Sequence, residues 1–458
     1  MPQKPHIRLA GAAGMVTGSC TVIELAPRVR ILVDLGLVQG TPEQEATNPV
    51  LPIERSDWLD AVVVTHAHAD HCGRLPMLPR HGFVGPIIAS PATAALLPMV
   101  LHASARLQLR LADDDRRAGH PPRDILFDRA EVDRMCSQII PLRPGELHEV
   151  IPGVHISLHQ VGHILGACSV HVQTNDGSVL VSGDIGHRDA EPMPPPPPPP
   201  AADLVVMECT RGDVQDKPGR PPEEQLAAVL LEAKLNEQII VCPSFAIGRT
   251  HQLLYRLGQL SRADALGMPV MLDSMMSSVT APLHAEHADQ LSTDAQALVA
   301  QGIDPLDFPE LHRLRSRRAA KVIKDLRGPA IVMAGNGFGE GGPIVEHLIR
   351  WLPSRKARVL LAGFCMPGTV VGRLAEDPPK LKLRGQWIAV EAPIDRLNCF
   401  SGHADATQLA CWLQSMPGPK PKVVLNHGDP GPRAAMQDRL HGHGYEVHMP
   451  EIGEAIEA

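Results

Sequence analysis

The segment Val62-Val63-Val64-Thr65-His66-Ala67-His68-Ala69-Asp70-His71 constrains this chain more than any other. A short apolar run, read as a buried strand, ends there, and three imidazoles and a carboxylate follow at once. Those are the donors that a divalent first-row metal accepts, and a loop at a strand end lets them converge on one point. One cluster is too small to close two metal sites, so partners are expected elsewhere. The same grammar, an apolar strand and then a Gly-flanked His or Asp, recurs three times. His163 follows His155–Val161 in GHILGA, Asp184 follows Val179–Ser182 in VSGDIG, and His427 follows Val423–Leu425 in NHGD. His102, His120, His287 and His312 lack this grammar and read as surface or core residues.

The chain holds 23 His, more than its four Trp, two Tyr and seven Phe together. Its cores must therefore be aliphatic, and aromatic stacking on exposed bases is not expected as its main binding device. With 458 residues, 44% hydrophobic and 21% charged, it reads as an ordinary globular chain of two to three domains. Nine cysteines with no CxxC pair argue against a disulfide framework and for a reducing compartment. The first residues lack the pattern of a secretory signal, and no apolar run is long enough to span a membrane, so a cytoplasmic location is expected. The net charge of −8 argues against nucleic-acid binding by bulk charge. Residues 211–395, however, balance 22 basic side chains against 21 acidic ones, so the acid excess lies in the flanks.

Short apolar runs ending in turn residues fill the first 210 residues: Thr21–Leu25, Arg30–Asp34, Ala61–Thr65, Ile87–Ala89, His155–His159, Val179–Ser182 and Leu204–Met207. Leu75–Pro79 and Pro91–Leu107 read as helical, and the charged stretch Ala112–Pro122 as a surface loop. After residue 210 helices and strands alternate: Pro222–Lys234, Ile239–Cys242, Gly248–Leu260, Val270–Leu272, a helix within 275–300, Ala330–Met333, Pro343–Leu352 and Val359–Ala362. That alternation predicts a parallel α/β unit. Near residue 396 the earlier style returns, with Asn398–Phe400, His403, a helix at Thr407–Gln414, a strand at Lys422–Leu425 and His427. The reading is one α/β domain split into 1–210 and 396–458, with a second domain, 211–395, inserted. The seven prolines of 194–200 read as a stiff surface crossover.

With these motifs assembled, the chain resembles the metallo-β-lactamase superfamily, and within it the β-CASP nucleases, a group that includes ribonuclease J and the endonuclease of eukaryotic pre-mRNA 3′-end processing. ILVDLGLVQG with Asp34, HAHADH, His163 and Asp184 resemble its first four motifs. MECTRGD with Glu208, FSGHAD with His403 and NHGD with His427 resemble the β-CASP motifs A, B and C. PSFAIGRTHQLL, LDSMMSSVTA, NGFGEGGP and LAGFCMPGT are similar to segments of the cap.

The resemblance implies a four-layer αββα sandwich carrying an inserted β-CASP cap. It implies two divalent metal ions, zinc by expectation, with manganese or iron as alternatives. His66, His68 and His163 would hold one, and Asp70, His71 and His427 the other. Asp184 would bridge them, and Asp34 would orient a ligand from behind. The implied reaction is cleavage of RNA phosphodiester bonds, mainly endonucleolytic, by a hydroxide activated between the metals. His403 would serve the leaving oxygen, held by Glu208. His at motif C, where DNA-repair relatives carry Val, favours single-stranded RNA as substrate. A DNA nuclease or a small-molecule hydrolase on the same scaffold, and a silent RNA-binding scaffold, are the alternatives, and a homo-oligomer is compatible with each. Substrate contacts are expected from Arg313, Arg315, Arg317, Arg318 and Lys321, beside Lys324 and Arg327, and from Asn336 and Gly337. Arg355, Lys356 and Arg358 form a second basic cluster. Three departures stand out: Asn336-Gly337-Phe338 for the commoner Ser-Gly-Met, Cys-Thr-Arg-Gly in motif A, and Asp429 for Glu in motif C. The first makes processive 5′ exonuclease activity unexpected. The extra domain that ribonuclease J carries after motif C is not expected here.

Overall fold

The structure is a computed structural model that describes residues 4–26, 29–216, 219–316, 319–363, 365–366, 368–397 and 400–458. The chain divides into two compact units. One comprises 1–187, 195–215 and 403–458, the other 188–194 and 216–402.

In the first unit two seven-stranded sheets form. One runs in the order Ala455–Glu457, His6–Gly11, Cys20–Ala26, Val29–Val33, Ala61–Val64, Ile87–Ala89, Ile139–Pro141. The other runs Val447–His448, Lys422–Asn426, Leu204–Glu208, Gly177–Val181, Cys168–Thr174, Val154–Gln160, Leu147–Ile151. Side chains alternate across a strand, so each strand splits its apolar residues between two layers. Ile31, Val33, Ala61 and Val63 of the first sheet pack with Val179, Val181, Leu204 and Val206 of the second in one core. The alternate residues Leu180, Val205, Met207, Val423 and Leu425 pack outward on Leu409 and Leu413 of helix Ala406–Gln414 and on Met436 and Leu440 of helix Pro430–Gly442. Val62 and Val64, also fully buried, occupy the outer face of the first sheet. Helix, sheet, sheet and helix layers follow from this alternation.

Parallel pairing sets where function can sit. Val29–Val33 runs parallel to Ala61–Val64, and Gly177–Val181, Leu204–Glu208 and Lys422–Asn426 are mutually parallel neighbours. Their carboxyl ends therefore share one edge of each sheet, where α/β folds place ligands. The crossover from Gly177–Val181 to its parallel neighbour contains the proline run, which takes no regular structure.

The second unit holds a parallel six-stranded sheet: Leu311–Arg313, Val270–Asp273, Ala330–Ala334, Ile239–Pro243, Ala357–Ala362, Ile394–Leu397. A separate hairpin pairs Lys380–Leu383 with Gln386–Ala389.

Several local expectations change. The helix from Pro91 continues to Arg117, through the first half of the charged stretch Ala112–Pro122 read as a loop, and the rest of that stretch is irregular. Asp113–Arg116 and Asp114–Arg117 pair one turn apart, and the next proline comes only at Pro121, so the polar residues extend the helix. Leu75–Met77 and Pro79–His81 are single 3₁₀ turns, because Pro76 and Pro79 remove backbone donors. The strand expected at Asn398–Phe400 falls largely on Asn398 and Cys399, which lie outside the described residues. Arg358 is no surface cation. It lies on a central strand, 4% exposed, and is held by Asp395 and Glu232. Its strand position turns it inward, where charge requires partners.

Candidate metal centre

Each sequence-marked ligand leaves the carboxyl end of a strand. Asp34 follows Val29–Val33, His66 to His71 follow Ala61–Val64, and His163 follows Val154–Gln160. Asp184 follows Gly177–Val181, and His427 follows Lys422–Asn426. Glu208 is the last residue of its own strand. Asp34 (φ 62°) and His427 (φ 47°) take the left-handed conformation, costly for a side chain with Cβ and frequent at functional positions. Asp70 and His71 sit in the one-turn helix Ala69–Cys72, whose backbone is clamped by Ser19, Leu35 and Leu37 N–H groups donating to the carbonyls of Asp70, His71 and Ala69. A side chain at Gly36 would put its Cβ 1.6 Å from the Asp70 carbonyl oxygen, so glycine is what admits the ligand helix.

The side chains converge around one shared aspartate, Asp184, in overlapping donor groups, the third of which joins Asp184 to Glu208 and His427. In the first, His66 Nε2 and His163 Nε2 lie 3.1 and 3.2 Å from His68 Nδ1, and each lies 3.5 Å from Asp184 Oδ2. In the second, His71 Nε2 is 3.1 Å from His427 Nε2, which is 3.6 Å from Asp70 Oδ2. Asp184 turns its other oxygen, Oδ1, to His71 Nε2 at 3.2 Å. His66, His68, His163 and Asp184 thus form one compact donor set, and Asp70, His71 and His427 another.

Electrostatics follow from burial. His66 and His163 are held below the usual imidazole range, first by burial and then by neighbouring imidazoles. Burial, then His66, pushes His68 down to about 3. Burial would raise Asp184, but the imidazoles of His427, His71 and His66 outweigh it and hold the carboxyl well below its usual range. Burial likewise opposes the downward shift of Asp70, where a hydrogen bond with His427 prevails. For His71 burial is overcome by Asp184 and Asp34, and the group rises.

These residues fit a metal pair on their own chemistry. Asp184 Oδ1 is buried and makes no hydrogen bond of good geometry, although His71 Nε2 and His427 Nδ1 stand 3.2 and 3.5 Å from it. Imidazole nitrogens approach each other at hydrogen-bond distance, and neutral rings would present lone pairs into the same space. A buried carboxylate oxygen without a donor is costly unless a cation completes it.

A second layer fixes ring orientation. Asp34 is fully buried, and its Oδ2 lies 2.7 Å from His71 Nδ1. Thr65 donates to it twice, through its amide and its hydroxyl, each at 2.8 Å. Thr210 Oγ1 meets His427 Nδ1 at 3.1 Å and donates to the His427 carbonyl at 3.2 Å. The Asp34 contact occupies His71 Nδ1 and leaves Nε2 for the centre, and His427 turns Nε2 to His71 while its Nδ1 lies between Thr210 and, at 3.5 Å, Asp184 Oδ1.

Glu208 and His403 form an adjoining pair. His403 Nδ1 lies 3.1 Å from Glu208 Oε1, and the His403 ring stands 4.6 Å from that of His163. Glu208 also accepts from the amides of Ile185, at 2.7 Å, and Thr210, at 3.2 Å. Burial lowers His403, but Glu208 outweighs it and raises the imidazole. The His403 loop is pinned by a bridge to Gly186, by Ala404 N–H to the Ile185 carbonyl, and by Arg211, whose Nη1 donates to the His403 carbonyl at 3.3 Å. A Cβ at Gly186 would fall 2.2 Å from Gly162. The cap of helix Ala406–Gln414 is Asp405, whose side chain accepts from Gln408 N–H.

Sequence reading missed Thr65, Thr210 and Arg211. Their signal was adjacency: Thr65 precedes His66, and the other two sit inside MECTRGD. In the second unit the expected substrate residues have separate surroundings. Arg313 Nη2 donates to the Leu306 carbonyl at 3.0 Å and to Asp307 at 3.3 Å. Arg315, Lys321, Lys324 and Arg327 are exposed, and Arg317 and Arg318 lie outside the described residues. Asn336 is exposed and accepts from Phe338 N–H, and Gly337 is packed against Phe245.

Known proteins align with this arrangement from end to end. The family description "Metallo-beta-lactamase superfamily" matches residues 13–244, "Beta-Casp domain" matches 250–374, and "Zn-dependent metallo-hydrolase RNA specificity domain" matches 387–450. A protein of Thermus thermophilus named as a ribonuclease is 32% identical over 450 residues, 97% of this chain and 98% of its own. A transcription termination factor of Methanosarcina mazei, FttA, is 28% identical over 437 residues, 93% of this chain and 67% of its own. A crystal structure from Enterococcus faecalis, described as a protein of unknown function, shares the fold with a TM-score of 0.56 at 16% identity, covering 99% of this chain and 100% of that one.

Proposed function

This chain belongs to the metallo-β-lactamase superfamily, with a Beta-Casp domain inserted, and on that footing we propose that it is a metal-dependent ribonuclease cleaving RNA phosphodiester bonds, mainly endonucleolytically. The observation that carries the reading is Asp184, whose two carboxylate oxygens face two separate groups of His and Asp donors. His66, His68 and His163 would hold one divalent ion and Asp70, His71 and His427 the other, with Asp184 available to both. Zinc is the expected metal. When bound, the ions supply Lewis-acid stabilisation of phosphoryl charge and acidify water.

The chain's own residues do the rest. Asp34 and Thr210 hold His71 and His427 with Nε2 inward. Glu208 takes a hydrogen bond from His403 Nδ1, so the imidazolium keeps its other proton on Nε2. That proton passes to the departing sugar oxygen, and Glu208 stabilises the charged ring beforehand. The metal-carrying domain comprises 1–210 and 396–458, and the cap 211–395. Exposed Arg315, Lys321 and Asn336 make up the candidate substrate surface of that cap; the expected contacts from Arg317 and Arg318 lie outside the described residues. Among the described residues no helix is long and apolar enough to cross a membrane, and the proposed place of action is the cytoplasm.

End-labelled single-stranded RNA and DNA of matched sequence, incubated with and without chelator, test the reading. Internal cuts in RNA that vanish with chelator are expected. Chelator-resistant cleavage, or cleavage of DNA alone, overturns it.

A further inference from the structure

The hairpin of the second unit carries an unpartnered face. Its turn, Arg384-Gly385, has positive φ at both residues, as a two-residue hairpin loop requires. Its register places Lys382 opposite Trp387 and Lys380 opposite Ala389, so these four side chains share one face. Leu381 and Leu383 share the other and join the unit's core. On the outward face Lys380, Lys382, Trp387 and Ala389 are all exposed.

Trp387 is 63% exposed, the most open tryptophan of the chain. Trp351 and Trp412 are buried, and the Trp58 ring is already covered by Arg30 and Arg55 at 5.0 and 4.6 Å. Against the Trp387 ring stands Lys380, its Nζ 4.9 Å from the ring centroid. Of the acids in this part of the chain, Glu346 pairs with Arg384, Asp377 with Arg396, and Glu391 with Arg355. Among the described residues no carboxylate pairs with Lys380 or Lys382.

An open indole flanked by two unpaired ammonium groups suits a polyanion with planar rings. A base stacks on the indole more strongly than an exposed ammonium does, and the displaced lysine then meets the adjoining phosphate. We propose that the Lys380–Lys382–Trp387 face of this hairpin binds a segment of single-stranded RNA, one base stacked on Trp387 and phosphates on the two lysines. The inference rests on the ribonuclease reading and adds a substrate contact outside the residues marked from sequence.

The test uses the full chain and a nuclease-resistant 2′-O-methyl oligouridylate. Titration is expected to quench tryptophan fluorescence, and Trp387→Phe should abolish that quenching while keeping most of the affinity. Trp387→Ala should weaken binding by about 5–100-fold. Lys380→Ala with Lys382→Ala should lower the log–log salt slope by about 1.4, roughly 0.7 for each lost contact. Because all three side chains face solvent, melting temperatures should match the wild type. If the wild type binds and cleaves RNA while Trp387→Ala binds the probe equally well, the hairpin inference falls, and the face is ordinary surface or a protein contact. If the wild type neither binds nor cleaves RNA, the ribonuclease reading falls and takes this one with it.

Discussion

Replacing Asp34 with Asn asks whether a residue that touches no metal sets the affinity of one. Asn is chosen because it tolerates the left-handed backbone at φ 62°, so the change isolates the charge. In the structure the carboxylate faces three donors: Thr65 N–H and Thr65 O–H, each at 2.8 Å, and His71 Nδ1 at 2.7 Å. An amide keeps one acceptor oxygen and turns the other position into a donor. If the oxygen stays with Thr65 N–H, the new NH₂ points at His71 Nδ1. The ring then has to accept there and carry its proton on Nε2, the atom that faces Asp184 and His427. A charge-assisted hydrogen bond is worth about 1.5–3 kcal/mol, which at about 1.4 kcal/mol per decade corresponds to the roughly 10–100-fold loss in metal affinity seen when such outer partners are removed. Competition against a graded zinc chelator, with metal counted per chain, measures this directly. The expected variant loses one metal at about 10–100-fold lower chelator strength, keeps the other, and recovers cleavage in excess metal. Retention of both metals within about twofold of the wild type would refute the argument that Asp34 fixes the His71 tautomer.

Three further expectations follow from the same geometry. His403→Ala should keep about two metals per chain and cut single-turnover cleavage by about 10²–10⁴-fold, whereas His427→Ala should lose metal as well; metal analysis beside the kinetics decides, and the opposite pattern exchanges the two roles. Gly36→Ala forces a Cβ against the fixed Asp70 carbonyl, so thermal unfolding should report a loss of about 3 kcal/mol or more; a wild-type melting temperature refutes the close approach. Replacing Arg315, Lys321 and Lys324 with Ala should weaken single-stranded RNA binding and reduce the log–log salt slope by about 0.7 per contact; an unchanged slope makes the segment plain solvated surface.

The sequence by itself marked the candidate ligands and the order of the elements that carry them. Apolar runs such as Ala61–Val64 and Lys422–Asn426 are legible because burial on both faces demands continuous aliphatic residues, and His, Asp and Gly beside them mark where each strand stops. Charged local patterns misled, as at Ala112–Arg117, where ion pairs one turn apart continue a helix that composition alone makes a loop. Weakly alternating edge strands such as Leu147–Ile151, only part-buried, left little signal to read. What tertiary structure decided is which oxygen of Asp184 faces which group, which ring nitrogen each histidine turns inward, and that Thr65 and Thr210 are the residues enforcing it. Those facts depend on parallel neighbours distant in sequence, Leu204–Glu208 beside Lys422–Asn426, coming into register. Composition and spacing carry no record of that pairing. A hydrogen bond between Thr210 and His427 exists only once the two strand ends lie side by side.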